Sequence, residues 1–190
     1  MKSFLMVVFA VLLISPAASA QSNGYIGLFA DVGHTSWCGA AASVPGSLNM
    51  YIYCLPRSDG MYCAEFKLQM PTDPTLLLAN ATAQAGYSVI LGDLASGVSF
   101  CFLECKNDWI WIYNVLLIDT GGNRNTISIV DHPLSHDVYF ASCEEPDRPQ
   151  YPAVVFNNFY TNYTDGIDPE CEATATAART WGAIKSMYND

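Results

Sequence analysis

The chain has 190 residues, half of them hydrophobic, and carries eight Lys or Arg against eighteen Asp or Glu, a formal net charge of -10 at pH 7. That balance argues against nucleic acid and against an anionic membrane surface, since both are held by clustered basic side chains. No GxSxG, HExxH or phosphate-binding glycine loop occurs, so the common local signatures of hydrolytic and nucleotide chemistry are missing.

Lys2, the apolar run Phe4 to Ile14 and the small residues Ala18-Ser19-Ala20 form the three parts of a secretory signal peptide, residues 1–20, with the mature chain expected to begin at Gln21. The apolar run is too short for a transmembrane helix. The rest of the chain suits one domain at 21–172, then a bland tether and a short segment at 173–190.

Tyr25 to Ala30 reads as a first strand, ended by Asp31 and Gly33. A Gly, Ala and Ser-rich loop comes next, from His34 to Ser47. Leu48 to Cys54 is a second strand, Pro56 to Gly60 a turn, and Cys63 to Met70 a return strand. In that return Ala64, Phe66, Leu68 and Met70 face one way while Glu65, Lys67 and Gln69 face water. Thr75 to Ala85 is ambiguous between a short helix and an irregular crossing. Tyr87 to Leu91 and Val98 to Phe102 are two further strands.

Trp109 to Ile118 (WIWIYNVLLI) is the longest strongly apolar stretch after the leader. Its β-branched and aromatic bias makes it a central strand, closed by turn signals at Asp119 to Asn123. Thr126 to Val130 is expected to run back as its partner. Val138 to Ala141 and Val154 to Tyr160 complete the set.

About nine short strands without intervening helices predict an all-β fold, a single antiparallel β-sandwich of Greek-key or jelly-roll type. The tail places Trp181, Ile184 and Tyr188 on one face of a short helical segment, fit to dock on its own sandwich or on a partner.

All seven cysteines, at 38, 54, 63, 101, 105, 143 and 171, lie beyond the leader, so disulfides are expected and one cysteine is left over. Local geometry suggests Cys54 with Cys63 across the turn, and Cys101 with Cys105. No CxxC pair supports zinc.

The succession Cys105, Asp108-Trp109-Ile110-Trp111, Ile127 to Val130, His132-Pro133, Cys143, Val154 to Phe159 and Thr180-Trp181-Gly182-Ala183-Ile184-Lys185 resembles a group of uncharacterised secreted bacterial proteins. Those share an IGLFAD-like strand, a DWxW segment and a TWGxIKxxY tail. The resemblance implies export and a single domain, and it brings no catalytic residue. In strand order the chain also looks like cohesin and carbohydrate-binding sandwiches, a likeness of fold that does not fix function.

Trp109, Trp111 and Tyr113 fall at alternate positions and are expected on one face, either filling the core or forming a ligand platform for a sugar. Asp131, His132, His136 and Asp137 have metal-ligand spacing only in a helix, which Pro133 opposes. His34 near Cys38 is a conceivable nucleophile pair, although an exported cysteine is more often bridged. Asp165, Asp168 and Glu170 are a possible calcium loop without EF-hand spacing, and no other cofactor is indicated. The reading is therefore a secreted or surface-displayed, non-enzymatic binding module for a glycan or an extracellular protein. The alternatives are a self-associating structural subunit of a fibre or coat, and, behind it, a secreted carbohydrate-active enzyme.

Overall fold

The computed structural model describes residues 23–164 and 167–171; the expected leader and the tail with Trp181, Ile184 and Tyr188 lie outside the described residues. Thirteen strands are present among them: β1 (Tyr25–Phe29), β2 (Cys38–Gly39), β3 (Gly46–Leu55), β4 (Met61–Gln69), β5 (Leu76–Ala83), β6 (Tyr87–Asp93), β7 (Gly97–Lys106), β8 (Ile110–Asp119), β9 (Asn125–Val130), β10 (Tyr139–Ala141), β11 (Gln150–Pro152), β12 (Val154–Val155) and β13 (Phe159–Thr161). A short 3-10 turn at Pro169–Cys171 is the only helix among the described residues.

The strands make two sheets. One has the order β12-β1-β3-β8-β5, with β12 parallel to β1 and the rest antiparallel. In the other, β4 is central. It pairs with β7 on one side, with β6 beyond, and with β10 and then β11 on the other. The last residues of β4 pair instead with β9, which leads on to β13 and β2. The all-β sandwich expected from the strand pattern is the observed architecture.

Alternation explains the core. Leu48, Met50 and Ile52 of β3, Ala64, Phe66 and Leu68 of β4, and Val98, Phe100 and Phe102 of β7 all point between the sheets and are buried. Aromatic rings fill the centre: Phe100 meets Phe66, Phe102, Tyr87 and Tyr113 at centroid distances of 6.3, 5.5, 5.1 and 6.3 Å.

A bulge and a change of sheet hid part of this pattern from the sequence. In β5 the pairing jumps between Leu78 and Asn80, so Leu76 and Leu78 face inward before the bulge, and Ala81 and Ala83 after it. The ambiguous 75–85 stretch is thus an edge strand whose period is reset midway. Thr126 to Val130 is not the partner of WIWIYNVLLI. After the turn at 119–123 the chain changes sheets, and β9 pairs with β4 and β13 while β8 pairs with β3 and β5. Val154 to Tyr160 likewise divides into β12 and β13, one in each sheet.

The same change of sheet corrects the cysteine pairing. Three disulfides join Cys38 to Cys171, Cys63 to Cys101 and Cys105 to Cys143, and Cys54 is free and buried. Cys54 and Cys63 do not face across a hairpin, because the turn between β3 and β4 carries the chain from one sheet to the other. Cys101 and Cys105 lie on one extended strand, where four residues span about 13 Å, far beyond bridging distance. Burial pushes the Cys54 thiol well up from its ordinary value and keeps it protonated. Peptide mapping without reduction is expected to recover the three linkages, and Cys54 to alkylate only after denaturation.

Asp119 is the one charged residue in the five strands of the first sheet, and it is fully buried. Burial alone would raise its carboxyl. The Asn162 amide, 2.6 Å from Oδ2, and the Gly122 and Gly121 N–H groups, 2.8 and 3.0 Å from Oδ1, outweigh that and hold it below the usual carboxylate range. Asp73 nearby is held low by the Asn125 amide, then by the Thr75 N–H and hydroxyl and the Asn123 amide. Both folded values are depressed, so their stabilisation is complete above the unfolded value of about 3.9 and is lost as pH falls below it. Thermal melts are expected to show a constant Tm near neutrality and a fall below about pH 4, flattened in Asp119→Asn.

Candidate functional site

Trp109, Trp111 and Tyr113 do not share a face. The β3 to β8 register passes from Ile52 opposite Tyr113 to Tyr53 opposite Trp111, leaving Ile112 as the bulge. Tyr113 therefore points into the core, 6% exposed and packed near Phe100 and Tyr87, while Trp111 is half-buried on the outer side. Trp109, also half-buried, closes an outer aromatic cluster with His34, Phe29 and Tyr53 at centroid distances of 4.9, 6.2 and 6.3 Å. The Tyr53 hydroxyl donates to the Val32 carbonyl at 2.6 Å, fixing the loop that covers this end of the sheet.

The other described sequence candidates take part in bridges and turns. Cys38 is bridged to Cys171, so no Cys-His nucleophile exists at His34. His132 is buried and takes the Leu134 N–H on Nδ1 at 3.3 Å, and His136 sits at a positive φ of 58° in the same turn. Asp165 lies outside the described residues. Asp168 receives Arg124 Nη2 on one oxygen and the Thr164 N–H on the other, each at 2.7 Å, and Glu170 accepts the Trp37 indole N–H on its backbone carbonyl. No group of three His, Cys, Asp or Glu converges as a metal site among the described residues.

A groove that sequence reasoning missed crosses the outer face of the second sheet, with a volume of about 220 Å³. Its floor is a pair of cross-strand rows. Val89, Cys101, Cys63, Ala141 and Gln150 lie side by side on β6, β7, β4, β10 and β11, with the Cys63–Cys101 disulfide at the centre. Leu91, Ser99, Glu65, Tyr139 and Pro152 form the neighbouring row. Each row spans four strand spacings, about 19 Å.

The groove is apolar where an antiparallel sheet would ordinarily be wet. Val89 is 41% exposed, Leu91 63%, and Leu103, two residues beyond Cys101 on the same outward face of β7, 66%. Among the described residues Glu65 is the single charge lining it, and it accepts the Ser99 hydroxyl at 3.4 Å. The face can bury aliphatic side chains against the disulfide and offer one carboxylate to a donor. A signal was present in the sequence: Val89 and Leu91 alternate outward in phase with Cys101 and Leu103. It emerges only once β6 and β7 are known to pair, and a bulge between Tyr87 and Val89 sets their register.

No profile of a known protein family matches the chain, and no curated protein matches it. Among the described residues no helix is long and apolar enough to cross a membrane. Solved structures do share the architecture. The sixth cohesin of scaffoldin B from Acetivibrio cellulolyticus, crystallised in complex with a dockerin, superposes with a TM-score of 0.52 at 12% identity, over 75% of this chain and 100% of that one. A cohesin module of a family 33 glycoside hydrolase from Clostridium perfringens gives 0.53 at 8% identity, over 74% and 98%. A type I cohesin from Pseudobacteroides cellulosolvens gives 0.51 at 14%, over 76% and 96%. At these identities the likeness is one of fold, and the chain has the architecture of a cohesin-like β-sandwich.

Proposed function

We propose that this chain is an exported, non-enzymatic binding module that holds a protein partner on the outer face of β6, β7, β4 and β10. The observation that carries the reading is the outward strip Val89, Leu91 and Leu103 beside the groove floored by the Cys63–Cys101 disulfide. A contiguous exposed apolar surface of this kind marks an interaction site, because leaving it in water forgoes about 25 cal/mol per Å². The partner presents aliphatic side chains to the strip and a donor or cation to Glu65, in keeping with the net charge of -10. The cohesin fold supports a protein as partner, since one solved cohesin of that architecture is in complex with a dockerin. The leader at 1–20, the disulfides and the resemblance to secreted bacterial proteins support an extracellular or surface location.

A second reading, a self-associating structural subunit, is favoured by one feature. Among the described residues β6 pairs on one side only, and its segment Tyr87 to Leu91 carries no charge to discourage strand addition. Sedimentation at rising concentration separates the two, because the first predicts a monomer and the second a ladder of oligomers.

Photo-crosslinking tests the first reading. A benzophenone amino acid replacing Leu91 or Leu103 in the producing organism is expected to trap one defined protein, and the same probe replacing Leu77 on the opposite sheet to trap none. Failure to trap a discrete adduct from either groove position would sink it.

A further inference from the structure

We propose that the outer face of the five-stranded sheet is a second, independent binding site, for an uncharged polysaccharide. The strands β1, β3, β5, β8 and β12 contain a single charged residue, Asp119, and it faces the core. In a chain with eighteen acids and eight bases, an outer sheet face without any charge is an unusual surface. It offers nothing to a basic or an acidic partner, and a polyanion would meet the chain's net negative field with no cation to hold it.

The register shows what that face offers instead. Beyond the aromatic cluster the sheet is open, and its outward residues fall in three rows across β3, β8 and β5. They read Tyr51, Asn114 and Thr82; Asn49, Leu116 and Asn80; then Ser47, Ile118 and Leu77. Amides and hydroxyls thus interleave with a phenol ring and three aliphatic side chains. This is the chemistry a sugar chain requires, whose C–H faces pack on apolar groups while its hydroxyls exchange hydrogen bonds with amides. Trp111, half-buried opposite Tyr53, extends the face by a further aromatic ring.

Two observations bear on a ligand's access to this face. Asn49 is exposed and its side chain takes part in no hydrogen bond among the described residues, whereas Asn114 Oδ1 is buried and the Asn80 amide donates to the Thr82 hydroxyl. Beside β3, where β1 has ended at Phe29 opposite Tyr51, a cleft of about 500 Å³ opens off the face, lined by Tyr51, Asn49, Asp31 and Val32. The Asp31 carboxylate accepts the Thr35 and Ser36 N–H groups there. Burial works against its charge, and those bonds outweigh that effect, holding its carboxyl below the ordinary value so that it stays ionised. It supplies one strong acceptor for a sugar hydroxyl at the rim of an otherwise neutral surface. The flat grid suits a chain of sugar residues, and the cleft suits one residue or branch standing off it.

Affinity electrophoresis of the mature protein through gels containing mixed-linkage glucan, arabinoxylan, galactomannan or polygalacturonate tests the proposal. At least one neutral polysaccharide is expected to retard the protein and polygalacturonate to leave its mobility unchanged. Tyr51→Ala and the exposed substitution Asn49→Ala are each expected to weaken retardation at least tenfold, while Leu91→Asp, in the protein-binding groove, leaves it intact. No retardation by any neutral polysaccharide, retardation by polygalacturonate alone, or retardation unchanged in both Tyr51→Ala and Asn49→Ala would overturn it. So would a dimer in the wild type that Leu116→Arg dissociates, since the face would then belong to a second copy. Asn49→Ala removes an exposed side chain without altering the core, so loss of binding there is not loss of fold.

Discussion

Leu91→Asp is expected to weaken binding of the crosslinked protein partner about 100-fold, with the melting temperature unchanged. Leu91 stands at the β6 end of its cross-strand row and is 63% exposed in the free protein, so its packing energy is still to be gained when a partner arrives. Burying a leucine side chain contributes about 1.5–3 kcal/mol. The substitution removes that gain and forces a second carboxylate into the groove that already holds Glu65, so a loss of about 2.7 kcal/mol, or two factors of ten, is the expected size. Fold stability is spared because the side chain is exposed on the outer face of the sheet rather than buried in the core. Titration calorimetry measures the loss, and Leu77→Asp on the opposite sheet is the control expected to bind as the wild type does. A change under threefold for Leu91→Asp would place the partner elsewhere.

Phe100→Ala is expected to destabilise the protein by about 4 kcal/mol and to lower Tm by about 10 °C. The ring is 1% exposed and lies within reach of Phe66, Phe102, Tyr87 and Tyr113, which come from four different strands of both sheets. Its removal leaves a cavity that no single neighbour can fill without breaking its own contacts. Tyr113→Ala is expected to behave in the same way and Trp111→Ala to cost far less. Scanning calorimetry on the three variants therefore tests the bulge at Ile112 directly. Equal losses at Trp111 and Tyr113 would mean that the two share a face after all.

That pair shows where the sequence was informative and where it was not. Most of the strands were legible from β-branched and aromatic runs between turn residues, though β2, β5 and β11 were not, and the sandwich followed from many short strands without helices. In β4 the alternation of Ala64, Phe66 and Leu68 against Glu65 and Lys67 is uninterrupted, and its reading as one dry and one wet face holds. In β8 and β5 a single extra residue reverses the alternation. Counting by twos from Trp109 therefore gave the right strand and the wrong neighbours. Sheet membership was not legible, because turns such as Pro56 to Gly60 and Asp119 to Asn123 look alike whether the chain folds back beside itself or crosses to the facing sheet. The disulfides depended on that distinction. Cys63 meets Cys101 only because β4 and β7, far apart in the chain, lie side by side.

The candidate site was hidden for the same reason. Val89, Leu91 and Leu103 are ordinary strand residues in sequence, and they become a surface when β6, β7, β4 and β10 are laid in register. The sequence directed attention instead to residues that stood out singly. Trp109 proves to cover the sheet, His132 to pin a turn, and Asp168 to anchor Arg124 beside the Cys38–Cys171 bridge. Chemically conspicuous residues were mostly holding loops in place, and the open surfaces are built of common ones.

Hydroxyl-radical footprinting of the module with its crosslinked partner is the most direct measurement of where that partner sits. Val89, Leu91, Leu103 and Tyr139 are expected to lose reactivity in the complex, while Leu77, Leu116 and Ile118 on the opposite sheet keep theirs. Unchanged oxidation of Leu91 and Leu103, with protection confined to the other sheet, would contradict the assignment of the groove as the protein-binding face.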